Sequence, residues 1–184
     1  MADLVPALAL GMVAILLAMA ITVVWRIARW WARTRRILAY RATIADVTGR
    51  AEALLGPVAD RADSVRRGSV EPTDLLPELA RAMSAAEILA AETRRLRGPT
   101  GSHAVIATIA DELERAGRAM EGMEYGCRLT VDPGRRGYDP DAQTAIKRGY
   151  LNLVHARESI AFQGATVAAM QVGRPRLVVP RDVE

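Results

Sequence analysis

Several side chains that carry chemistry are scarce in this 184-residue chain. It has one cysteine, two histidines, one phenylalanine and an aromatic content of 4%, and Lys147 is the only lysine among 25 basic residues. A single cysteine excludes an intrachain disulfide framework and a four-thiolate zinc centre. His103 and His155 are too few for a histidine-based metal site. His155 and Glu158 stand three apart on one helical face, but di-iron bundles pair Glu-x-x-His motifs with further glutamates. Here the order is reversed and occurs once, so a surface pair is expected. The run Asp132-Pro133-Gly134-Arg135-Arg136-Gly137 has glycine and arginine but lacks the P-loop pattern and a preceding strand. It reads as a turn. Glu112, Glu114, Glu121 and Glu124 alternate with arginines and read as a solvated ion-pair face. No nucleophile–base arrangement is visible. The sequence therefore names no catalytic residue, metal ligand, cofactor or small-molecule substrate.

Charge is unevenly placed. Residues 1–41 hold six Arg and one Asp, whereas residues 42–184 are close to balanced, and the whole chain carries +4. A nucleic-acid binder would carry its basic groups on the binding domain, so no nucleic-acid partner is expected.

What the chain does have is one long uncharged run. Leu4 to Trp25 reads LVPALALGMVAILLAMAITVVW. At 1.5 Å per residue it spans about 33 Å, enough for a hydrocarbon core of about 30 Å. Pro6 falls in the first turn, where its missing N–H costs little. A cleaved signal peptide normally starts with positive charge, and this segment opens on Met1-Ala2-Asp3. Ala18-Met19-Ala20 resembles a cleavage site, yet the residues after it stay apolar. A signal-anchor is the expectation. Arg26, Arg29, Arg33, Arg35 and Arg36 follow the run and none precedes it, so the positive-inside rule predicts the N-terminus outside and the rest in the cytoplasm. Trp25, Trp30 and Trp31 stand at the same boundary, where an indole buries its ring and keeps its N–H wet. Residues 26–41 are expected to continue the helix, and their arginines can attract anionic headgroups.

After residue 41 helical spacing dominates and no strand alternation appears. A first segment, Ala42 to Arg67, places Ile44, Val47, Ala51, Leu54 or Leu55, Val58, Ala62 and Val65 on one face. Gly56-Pro57 predicts a kink or break there. Gly68 to Thr73 is a turn. Asp74 is the expected cap of a second helix ending near Arg94, Arg95 and Arg97. Its apolar face holds Leu75, Leu76, Leu79, Met83, Ala86, Leu89 or Ala90, and Leu96. Gly98-Pro99-Thr100-Gly101 is a breaker. Ser102 is the expected cap of a third helix. There Ile106, Ile109, Leu113, Ala116, Met120, Met123 and Cys127 step by three and four without a miss, a heptad seam sustained for three repeats. Asp111–Arg115, Glu114–Arg118 and Glu124–Arg128 are spaced to pair. Gly117, Gly122 and Gly126 are expected to let a neighbour approach. Cys127 on the seam is expected to act as packing. Asp139-Pro140 starts a fourth helix running to about Val172, stopped by Gly173 and Pro175. Leu177-Val178-Val179 in the tail could dock on the bundle or on a partner.

These readings predict an all-α protein: a single N-terminal transmembrane helix followed by a cytoplasmic antiparallel bundle of three to four helices. The divisions are 1–25 for the anchor (span 4–25), 26–41 for an Arg/Trp juxtamembrane helix, 42–173 for the bundle and 174–184 for an extended tail. The apolar positions are rich in alanine, so each helix buries modest area. Part of the surface is therefore expected to pack against another chain. The predicted role is non-catalytic: a single-pass membrane adaptor, scaffold or accessory subunit. Its partners are the lipid bilayer and, through coiled-coil-like packing of the bundle, another protein or a second copy. The alternatives are a membrane-surface lipid sensor using the Arg/Trp collar, and an enzyme whose site is too dispersed to see.

Overall fold

A computed structural model describes the backbone of residues 4–99, 102–131 and 140–170, with side chains from Met12 and Ile15 onward within those ranges. Thr100-Gly101, the expected turn at 132–137, the expected cap Asp139, and the tail from residue 171 with its expected stop lie outside the described residues. All regular structure among the described residues is helical: α1 (Leu4–Arg66), α2 (Pro72–Arg95), α3 (His103–Val131) and α4 (Pro140–Ala169). The chain divides into two compact units at Ala39–Tyr40.

The first unit contains the N-terminal part of α1. Its described large apolar side chains up to Trp31 are exposed, among them Met12, Ile15, Leu16, Leu17, Ile21 and Val24. Among the described residues, α1 is the one helix long and apolar enough to cross a membrane.

The second unit, Tyr40–Met170, is a four-helix bundle with one contiguous core. Each helix buries a stripe spaced by threes and fours. On α1 it is Tyr40, Ile44, Val47, Ala51, Leu55, Val58, Ala62 and Val65, and on α2 it is Leu75, Leu79, Ala82, Ala86, Leu89 and Thr93. On α4 it is Ala142, Ile146, Gly149, Leu153, Ala156 and Ile160. That spacing keeps successive residues on one side of a 3.6-residue helix and makes the other side polar. Long-range pairs fix the order of neighbours. Arg50 meets Glu92 at 2.7 Å and Arg61 approaches Glu78 at 3.8 Å, so α1 and α2 run antiparallel. Arg94 near the end of α2 pairs with Asp111 and Glu114 near the start of α3. Gly126 and Gly149 bring α3 against α4. Glu52 pairs with Arg157, and Arg41 donates to the Ala168 carbonyl, closing α4 onto α1.

Two expected boundaries differ. Gly56-Pro57 does not break α1. Pro57 and Ala53, the residue whose carbonyl loses its donor, are both on the exposed side, where water can take the free acceptor. Asp74 does not cap α2. The N-cap is Glu71, with Pro72 at the first position and no side-chain cap bond. Proline's fixed φ starts the helix three residues earlier. Ser102 stands immediately before α3, at the expected cap position; its carbonyl accepts the Ile106 N–H, and its hydroxyl donates to the Pro99 carbonyl at 2.7 Å. It thereby closes the preceding turn. The exit of α1 follows the Schellman pattern. Gly68 has φ +73°, its N–H bonds to the Val65 carbonyl, and the Ser69 N–H bonds to the Ser64 carbonyl. The left-handed residue turns the chain back while satisfying two orphan carbonyls.

Candidate functional site

Two surfaces hold the candidate residues, one in each unit. The first is the collar on α1. Trp25, Arg26, Arg29, Trp30, Trp31, Arg33, Arg35 and Arg36 all lie on continuous helix, and all are exposed. No acidic residue occurs from Leu4 to Ala45, so no carboxylate within that stretch neutralises them. Two arginines instead stack on indoles. The Arg29 guanidinium lies 4.7 Å from the Trp25 ring centroid and that of Arg35 lies 6.0 Å from Trp31. A cation over an aromatic face is attracted by the ring quadrupole. Trp30 and Trp31 meet edge to face with centroids 5.9 Å apart.

The second surface belongs to the bundle. The α3 seam forms its inner side: Ile106, Ile109, Leu113, Ala116, Met120, Met123 and Cys127 are all buried. Burial pushes the Cys127 thiol up to about 11, with nearby Glu124 adding to it. A thiol held protonated is a poor nucleophile. Of the three glycines expected to admit a neighbour on α3, only Gly126 does so. A Cβ there would stand 2.9 Å from the Ala142 carbonyl oxygen, whereas nothing lies within 4 Å at Gly117 or Gly122. Both open onto free space, Gly122 in a groove shared with α4.

The outer side carries a groove that the sequence reading missed. It runs between α1 and α4 with a volume of about 450 Å³. Its walls are small side chains: Ala45, Thr48 and Gly49 on α1, and Ala161, Gly164, Ala165 and Ala168 on α4. Close approach explains it. A Cβ at Gly164 would stand 3.0 Å from Thr48 Cγ2, so the helices touch at that point and leave an apolar trough outside it. Phe162 beside it is exposed. Glu52 and Arg157 line the trough, with Arg157 Nε 2.7 Å from Glu52 Oε2. That bond holds the Glu52 carboxyl below its usual range and raises Arg157. An apolar trough with a paired polar edge suits the side chains of another helix. The only available sequence signal was the run of small residues at 161, 164, 165 and 168, which names no partner helix.

Tyr40 is buried against Gly98 and Ser102, its hydroxyl lacks a well-formed hydrogen bond, and burial raises its pKa. Arg115 pairs with Glu112 and not with Asp111, because Asp111 is taken by Arg94 from α2. His103, His155 and Glu158 are exposed. Among the described residues no three His, Cys, Asp or Glu side chains group as metal ligands.

No family model, curated protein or solved structure matches the chain.

Proposed function

We propose that this chain is a single-pass membrane protein whose helical bundle acts as an adaptor, scaffold or accessory subunit for another protein. The observation that carries the reading is α1 itself. One helix begins as an apolar segment with no buried residue in its spanning window and ends as a wall of a closed core, without an intervening linker. The core helix of a soluble protein has its apolar side chains covered. Bare ones from Met12 to Val24 need a non-aqueous environment, since exposed apolar patches beyond a few hundred Å² mark interaction or membrane surfaces. The arginine excess after Trp25 favours a cytoplasmic bundle and an external N-terminus. The α1/α4 trough, with Phe162 at its side, is the surface offered to the partner. The role is non-catalytic in this reading.

The test uses full-length protein in mild detergent, with light scattering to count chains and a C-terminal tag probed by protease in oriented vesicles. We expect a complex of defined stoichiometry that Ala161→Arg or Ala165→Arg dissolves, because a guanidinium on the trough wall blocks apolar contact. Tag cleavage is expected only from the cytoplasmic side. A monodisperse single chain, unaffected by either substitution, would overturn the adaptor reading. Release of the protein from membranes by alkaline carbonate would overturn the anchor.

A further inference from the structure

Four of the collar arginines share one face. Arg26, Arg29, Arg33 and Arg36 succeed one another at steps of three, four and three, which at 100° per residue keeps them within an arc of about 80°. Ile27, Trp31 and Leu38 fall on the other side of the helix.

Side-chain direction decides where the charges lie. Each Cα–Cβ bond of a helix tilts toward the N-terminus, which here is the side of the apolar segment. Arg29 and Arg35 show this directly, because each guanidinium reaches back four residues to an indole. At 1.5 Å per residue, four residues bring a guanidinium about 6 Å nearer the span. Arg29 is then level with Trp25, while Arg33 and Arg36 are about 6 Å and about 10 Å beyond it; the same reach would put Arg26 about 4.5 Å on the apolar side, so its side chain extends outward to the hydrocarbon edge instead. The headgroup layer is about 5–7 Å thick on each side of the hydrocarbon. Arg29 and Arg33 fall within that layer, Arg26 reaches its inner edge by snorkelling, and Arg36 lies past it.

We propose that Arg26, Arg29 and Arg33 form a binding face for anionic phospholipid headgroups. The inference rests on the membrane-anchor reading. A guanidinium fork takes phosphate oxygens two at a time, and no carboxylate from Leu4 to Ala45 competes for it. The lipid is the phosphate source because the side chains reach back toward the bilayer. An acidic protein segment in the cytoplasm would meet them pointing away.

All three tryptophans of the chain, Trp25, Trp30 and Trp31, stand in this segment, so their fluorescence reports the local lipid without a label. Full-length protein is reconstituted into mixed phosphatidylglycerol and phosphatidylcholine vesicles at equal mole fractions, with one lipid or the other brominated. Brominated phosphatidylglycerol is expected to quench as though enriched about five-fold around the indoles, the factor that one basic group at a lipid surface contributes. The enrichment falls as salt is raised. The Arg26→Gln/Arg29→Gln/Arg33→Gln variant brings it below about two-fold, and Arg36→Gln changes it least. Equal quenching by both lipids at low salt would overturn the proposal and leave the stripe to an acidic protein. An Arg36→Gln loss as large as that of Arg29→Gln would overturn the depth assignment. Absence of quenching by either brominated lipid would remove the anchor reading itself.

Discussion

Gly149 on α4 faces Met123 on α3 so closely that a Cβ at position 149 would stand 2.4 Å from Met123 Cγ. The same atom would stand 2.6 Å from the Ala119 carbonyl oxygen. The methionine can shift, but the backbone oxygen cannot do so without moving α3. Gly149→Ala is therefore expected to destabilise the bundle by about 1–3 kcal/mol through overpacking, despite a gain of about 1 kcal/mol in helix propensity. Gly117→Ala meets nothing within 4 Å and should stabilise by about 0.5–1 kcal/mol. Thermal unfolding of the full chain in detergent, followed by circular dichroism, separates the two. Two shifts of the same sign would refute the close-contact argument.

Gly68 is the only described residue with a positive φ, +73°. Gly68→Ala forces an L side chain into the left-handed region, at a cost of about 1–2 kcal/mol. The strain falls on the last turn of α1. Amide exchange of residues 63–69 should quicken in the variant while exchange at Leu113 and Met120 keeps its rate ratio to global unfolding. Unchanged protection at Ser69 would argue against the Schellman exit.

Cys127 is fully buried, with its thiol pushed up to about 11. At pH 8 its thiolate fraction is lower than that of a free thiol by on the order of a hundred-fold. Reaction with a chromogenic disulfide should be slower by at least that factor in folded protein, and fast after denaturation. Rapid labelling of the native chain would mean that the α3 seam opens.

The Glu52–Arg157 pair gives a pH signature of known sign. Arg157 holds the Glu52 carboxyl below its usual range. A depressed folded value means that the contribution is present above the unfolded pKa of about 4.3 and is lost as pH falls through the folded value. The Glu52 side chain is 50% exposed, so solvent screening limits the gain to about 1 kcal/mol or less. Glu52→Gln should lower Tm at pH 7, and the gap to wild type should close near pH 3. A gap that persists in acid would assign the effect to packing of the side chain and not to its charge.

Much of this architecture was legible because helix periodicity is local. Ile106 through Cys127 step by three and four in the chain, and every one is buried. The turn at Gly68 was legible for the same reason, since glycine is favoured where φ turns positive. The uncharged run from Leu4 to Trp25 and the arginines after it are likewise properties of neighbouring residues.

What the tertiary structure alone decided concerns partners distant in sequence. Asp111 is spaced to bind Arg115, but Arg94 arrives from α2 and takes it. Gly117, Gly122 and Gly126 look alike in sequence, and only Gly126 packs closely against α4. Gly149 carried no local sign of its closeness to Met123. Pro57 looked like a break, and its solvent-facing position let α1 continue. The α1/α4 trough exists because Thr48 and Gly164, 116 positions apart, pack at van der Waals range. Periodicity determines which face of a helix is buried; which helix covers that face, and how closely, depends on interlocking side chains contributed by separate stretches of the chain.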